Sequence, residues 1–166
     1  MHIDPAEKRW AILTLVVAFS MMGVLAGYAI NDNINPPSNV ETIDSTRLHL
    51  TREFNEDNLG VHQQKDGSIR VVMVAARYGF FPNHLVVPAD TPVTFRIASA
   101  DVLHGVHTPN TNMNTMVVPG YVSEVTTTFP HPGDYSMLCN EYCGLGHDFM
   151  WSRLKVVPAD QFKVGG

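Results

Sequence analysis

Charge is scarce in this chain. Asp, Glu, Lys and Arg make up 16% of its 166 residues, where a soluble domain usually carries about 25%. A concentrated apolar segment would account for the deficit. There is no basic excess either. Asp4, Glu7, Lys8 and Arg9 cancel, so the formal charge of −5 belongs to the remainder of the chain. That argues against a nucleic-acid partner, because phosphates recruit basic surfaces. It favours a basic protein partner, and equally it is what ordinary solubility requires. No internal repeat and no low-complexity tract is present. No strong amphipathic helical pattern alternates with the apolar runs, which argues against a βαβ fold.

One apolar run explains the missing charge. From Trp10 to Ile30 the sequence reads WAILTLVVAFSMMGVLAGYAI, without charge or proline. As a helix it would span roughly 30 Å at 1.5 Å per residue, the thickness of a bilayer's hydrocarbon core. A buried helix of a soluble domain would show a polar face, and this run has none. A cleaved leader is the competing reading, with Ala26-Gly27-Tyr28-Ala29 as the cleavage site. Leader cores run only about 7–15 residues, so a retained anchor is expected. Lys8 and Arg9 before the run place the N-terminus in the cytoplasm and the rest outside. The chain is thus expected at the plasma membrane, single-pass, in contact with the lipid bilayer.

The remainder divides in two by texture. Residues 32–68 are polar, with Pro36-Pro37 and scattered acids, and read as a linker with at most a short helix near Ser45 to Glu53. From Ile69 the pattern changes. IRVVMVAAR, HLVVPA, PVTFRIAS, VSEVTTTF, DYSML and SRLKVV are short β-branched runs separated by proline and glycine. Many short strands with such turns predict an antiparallel sandwich or barrel. The expected division is therefore 1–31 N-terminus and membrane helix, 32–68 linker, and 69–166 a mainly β domain.

Both cysteines of the chain lie in CNEYCGLGHDFM, from Cys139 to Met150, together with His147. A second histidine, His104, lies upstream in DVLHGVH. Thiolate and thioether are soft ligands and imidazole is intermediate, a set that suits copper. Two thiolates can bridge two metal ions and leave one histidine for each. Gly144 and Gly146 let the loop curl tightly. Taken singly, these residues allow duller readings. Cys139 and Cys143 fit a disulfide in an extracytoplasmic domain. Zinc on the two cysteines, His104 and His147 uses common ligand types. The conjunction of all five residues on a β-rich domain favours copper.

The loop resembles the dicopper loop of cytochrome c oxidase subunit II, and DVLHGVH resembles that family's upstream histidine segment. The likeness runs over about residues 69–157. The single apolar helix, the short length and TNMNTMVVPGYVSEV are most similar to the B-family, ba-type oxidases. The resemblance implies a cupredoxin-like, Greek-key β-sandwich or barrel holding a binuclear copper centre, CuA. Its ligands would be Cys139 and Cys143 as bridging thiolates, His104 and His147, the weak axial Met150, and the backbone carbonyl of Glu141. Asp101 would stand behind His104 and tune it. Glutamine is usual at position 141 in the B-family. Glutamate is typical of the larger A-family, where its carboxylate also helps bind magnesium at the boundary with subunit I. Arg77-Tyr78-Gly79-Phe80-Phe81 resembles the aromatic stretch where cytochrome c delivers electrons, which puts Tyr78, Phe80 and Phe81 at a docking surface. They read equally well as core. His2, His49, His62, His84, His107 and His131 are left as surface or structural residues.

The function implied is a one-electron relay in the respiratory chain. Cytochrome c would reduce the copper centre, and the electron would pass to heme in subunit I. Oxygen reduction and proton translocation would belong to that partner, and no residue here acts as general acid, base or nucleophile. Three rivals stand beside this reading. One is the dicopper subunit of a nitric oxide reductase. Another is a membrane-anchored copper chaperone or thiol oxidoreductase. The last is a metal-free domain with a disulfide.

Overall fold

The computed structural model describes residues 4–31 and 41–164, which form two units. The first is helix α1, Pro5–Asn31. Its start follows local rules. The Asp4 carboxylate accepts the Ala6 N–H at 2.7 Å, Pro5 occupies the first helical position, and Glu7 lies in the first turn. The helix is long and apolar enough to cross a membrane. Its two aliphatic hydroxyls find partners within the helix. Thr14 donates to the Trp10 carbonyl at 2.9 Å and Ser20 to that of Val16 at 2.7 Å. Neither would then be left unpaired in lipid.

The second unit is a two-sheet β domain. Its strands are β1 Glu41–Thr42, β2 Gly60–Gln63, β3 Ile69–Ala76, β4 Gly79–Phe81, β5 His84–Pro88, β6 Pro92–Ser99, β7 His104–His107, β8 Asn114–Val117, β9 Tyr121–Thr128, β10 Gly133–Leu138 and β11 Trp151–Val157. One sheet runs β1-β9-β6-β3-β2, with β4 also paired to β3; the other runs β5-β11-β10-β7-β8. The strand pattern predicts an antiparallel sandwich or barrel, and most of the pairs are antiparallel. Two pairs are parallel, β3 with β6 and β5 with β11. Each first strand enters one sheet, and the chain visits the other before returning alongside it.

Strand periodicity builds the core between the sheets. In β11, Ser152, Leu154 and Val156 are buried, while Trp151, Arg153 and Lys155 face solvent. In β6, Val93, Phe95 and Ile97 point inward. Phe129 packs edge-on against both Phe95 and Tyr135, with centroids 6.4 and 5.1 Å apart. Such edge contacts add to the burial of apolar area.

The expected linker, 32–68, is corrected from residue 41 onward; residues 32–40 lie outside the described ones. Residues 41–63 carry β1, two 3-10 turns, Ser45–Leu50 and Glu56–Asn58, and β2. The physical reason lies on the outer face of the first sheet. Val72, Ala98 and Val122 point outward there and need cover, and Leu48 and Phe54 supply it. Arg96, also on that face, ion-pairs with Glu41, Glu53 and Glu124. These carboxylates hold its guanidinium above its already high ordinary pKa: the Glu53 hydrogen bond acts most strongly, against the cost of burial, with Glu41 and Glu124 adding to it. Two of the three acids come from the stretch expected to be a linker.

Candidate metal centre

The loop from Cys139 to Met150 joins the adjacent strands β10 and β11 at one end of the second sheet. A backbone bond from Cys139 N to the Met150 carbonyl, 3.0 Å, closes it at its base. The alternation of β10 that buries Met137 also buries Cys139. β7 pairs with β10 through His107 and Leu138. Continuing that register sets Asn140 across from Gly105. Its amide oxygen lies so close over Gly105 that a Cβ there would displace it, and its Nδ2 donates to Asn114 on β8 at 3.1 Å. His104, the first residue of β7, is thereby brought beneath the loop, fully buried.

The sequence candidates converge. The Cys139 and Cys143 sulfurs are 3.9 Å apart and both cysteines are free. That separation is far beyond the ~2.05 Å of a disulfide bond. Each sulfur has its own imidazole. His104 Nδ1 lies 3.9 Å from Cys139, and His147 Nδ1 lies 3.6 Å from Cys143. The Met150 thioether is 3.6 Å from Cys143, and the Glu141 carbonyl is 3.3 Å from Cys139. His104, Cys139 and Cys143 hold their ligand atoms within 4.8 Å of one another, the only such group among the described residues. The Glu141 carboxylate belongs to no group of that kind.

Burial, and then the neighbouring Cys139, push the Cys143 thiol up to about 11. A metal binding here must therefore displace protons, since thiolate is the ligand form. Behind His104 stands Asp101. Its Oδ1 accepts from His104 Nε2 at 2.9 Å and from Val102 N at 2.6 Å, and its Oδ2 accepts from Arg77 N at 2.8 Å. Burial works against this carboxylate, but the bonds from His104, Arg77 and Val102 outweigh it and hold its pKa below the ordinary value. Fixing Nε2 as the donor leaves Nδ1 bare toward the sulfurs.

The donor set tests which metal fits. Two thiols, two imidazoles, a buried thioether and one carbonyl are a soft set suited to copper. Zinc sites are built from thiolate, imidazole and carboxylate, and a thioether adds nothing to them.

Similarity to known proteins gives the family. The family model described as "Cytochrome C oxidase subunit II, periplasmic domain" matches residues 52–157. The chain belongs to the cytochrome c oxidase subunit II family. A cytochrome c oxidase subunit 2 of Thermus thermophilus is 34% identical over 153 residues, 90% of each chain. A second Thermus thermophilus subunit 2 is 37% identical over 121 residues, 73% of this chain and 90% of the relative. A chain of a heme-copper terminal oxidase dimer solved by cryo-EM superposes with a TM-score of 0.73 at 27% identity, covering 92% of this chain and 99% of that one. The periplasmic domain of subunit II from Bradyrhizobium japonicum shares the fold, with a TM-score of 0.52 at 20% identity over 56% of this chain and 86% of that one. The β domain is thus the cupredoxin-like sandwich expected. As a member of this family the chain is a subunit of a cytochrome c oxidase complex, and its His, Cys, Cys and Met cluster is consistent with a CuA site.

One expected group needs correction. Of the docking aromatics, Phe80 is fully buried and belongs to the core, because the pairing of β4 with β3 turns it inward. It cannot form part of a docking face. Tyr78 and Phe81 are exposed. The sequence reading missed the loop's own rim, where Tyr142, Leu145 and Phe149 are among the most exposed apolar side chains of the domain. The signal was available, because these residues interleave with candidate ligands expected to point inward.

Proposed function

We propose that this subunit takes single electrons from a c-type cytochrome at a binuclear copper centre and passes them to heme in subunit I. Cys139, Cys143, His104, His147, Met150 and the Glu141 carbonyl would hold the two copper ions. The observation that carries the reading is the pairing: two sulfurs side by side, each with a separate imidazole. When bound, the copper pair supplies one-electron oxidation and reduction. The protein's part is to keep the ligands fixed and dry. His104 is buried and held by Asp101, Met150 is 2% exposed, and the closed loop leaves the sulfurs little freedom. A site so held changes shape little between oxidation states, and little reorganisation is needed for electron transfer.

The exposed rim of Tyr142, Leu145 and Phe149, with Tyr78 and Phe81 as further candidates, is the docking face for cytochrome c. A small apolar patch suits a short-lived complex. This one sits on the metal loop, where a donor's heme would need to come close. The acidic balance of the chain suits a basic donor. Helix α1 anchors the subunit in the plasma membrane, with Lys8 and Arg9 on the cytoplasmic side and the β domain outside. The likeness to a Thermus thermophilus relative over 90% of each chain supports the short B-family form, despite Glu141. Magnesium through Glu141 would require ligands from subunit I.

The test is rapid mixing of the whole oxidase with reduced cytochrome c. The visible band of the copper centre should bleach before heme is reduced. Heme reduction that leads that bleaching, or that persists unchanged in copper-free enzyme, would refute the relay. Turnover with oxygen, compared with nitric oxide, identifies the terminal acceptor.

A further inference from the structure

Gly146 has an ordinary backbone, with φ −98° and ψ 18°, which any residue can adopt. Its lack of a side chain therefore has a packing cause. A Cβ at 146 would stand 2.6 Å from Cδ2 and 2.7 Å from Cγ of Tyr78. At Gly144 a Cβ would stand 2.8 Å from the Tyr78 hydroxyl and 3.2 Å from Cε1. The ring of Tyr78 thus lies along the stretch between Cys143 and His147, close against both glycines. Gly144 also has φ +129°, so its glycine has a second reason; Gly146 has only the ring.

This stretch carries His147. The His147 N–H donates to the Gly144 carbonyl and Phe149 N–H to that of Gly146, each at 3.1 Å. The residue before Tyr78 serves the opposite side of the centre. Arg77 N–H holds Asp101, and Asp101 holds His104. The two imidazoles are far apart in sequence, yet the Arg77-Tyr78 dipeptide touches the supports of both.

We propose that Tyr78 is a positioning residue whose ring clamps the Gly144–Gly146 turn and so fixes His147 and Cys143 relative to the half of the centre built on β7. This rests on the reading of the loop as a metal centre for its consequence, but not for its geometry. The clamp acts through the ring face, and the hydroxyl is dispensable.

The test uses the full chain in detergent with four variants: Gly146→Ala, Tyr78→Ala, the double variant, and Tyr78→Phe. Two readouts are taken. One is the rate at which a thiol reagent labels Cys143 in the metal-free chain; the other is the rate at which a chelator strips copper from the loaded chain. Gly146→Ala and Tyr78→Ala should each speed labelling several-fold and copper loss about tenfold, with an unchanged global unfolding midpoint. Tyr78→Phe should match the parent. The double variant should be no worse than Tyr78→Ala alone, because the added methyl no longer meets a ring. The proposal is overturned if Gly146→Ala is silent, or if it adds the same penalty when the ring is absent. Should the parent chain bind no copper, the metal reading fails, while the labelling pattern alone still decides the clamp.

Discussion

Replacing Asp101 with asparagine changes one atom and should loosen the metal centre. The carboxylate accepts three hydrogen bonds, from Val102 N and His104 Nε2 on Oδ1 and from Arg77 N on Oδ2. All three partners are donors. An amide has only one acceptor atom, so one position must present an N–H₂ group to a donor. If it faces Arg77, the backbone of the Tyr78 segment loses its anchor. If it faces His104, the imidazole must shift its proton to Nδ1, the nitrogen that points at Cys139, and ligation suffers. Either way a charge-assisted bond is lost, worth about 1.5–3 kcal/mol. At 1.36 kcal/mol per decade that is roughly 10–100-fold in copper affinity, the range typical for partners of a metal-bound histidine. Competition with a chelator of known affinity measures it on the full chain. Affinity within twofold of the parent, with an unaltered spectrum, would refute the reasoning.

Other outcomes follow from the same geometry. Cys143→Ser should abolish the two-metal spectrum outright, because one of the two thiolates proposed to bridge the metals would be gone. Met150→Leu keeps nearly the same buried volume, so copper should remain while the reduction potential shifts; potentiometric titration reads both. Phe54→Ala should cost about 3–5 kcal/mol in denaturant unfolding of the full chain, because Phe54 is 2% exposed against the outer face of the sheet; a loss under about 1 kcal/mol would return residues 41–58 to the status of a linker. Leu145→Ser should slow the second-order reaction with reduced cytochrome c several-fold and leave the copper spectrum intact, since this side chain is 93% exposed.

Much of the centre is legible in the sequence because its chemistry is concentrated in a short stretch. Cys139, Cys143, His147 and Met150 are spaced so that a single loop brings them together, and strand alternation then decides which of them point inward. His104 has less local support in the sequence, since nothing nearby links it to a loop more than thirty residues away. The sheet pairing does that. Two errors arise from what a strand alone does not show: the cover on a sheet's outer face, and which face meets the core. β3 reads IRVVMVAA, a nearly continuous apolar run rather than an alternation. Such a run signals burial on both faces, and it calls for the Leu48 and Phe54 cover that the polar texture of 32–68 conceals. Phe80 and Phe81 are adjacent and equally apolar, so residue type alone does not say which faces the core; the β4 register does. The parallel pairs β3·β6 and β5·β11 are likewise invisible, because strand pairing depends on how the chain crosses between sheets.

The most direct measurement is the copper content of the purified full chain, taken together with its electron paramagnetic spectrum. Two copper ions per chain and a many-line signal from one electron shared between them are expected. One copper with a simple four-line signal, or no copper with Cys139 bonded to Cys143, would contradict the account.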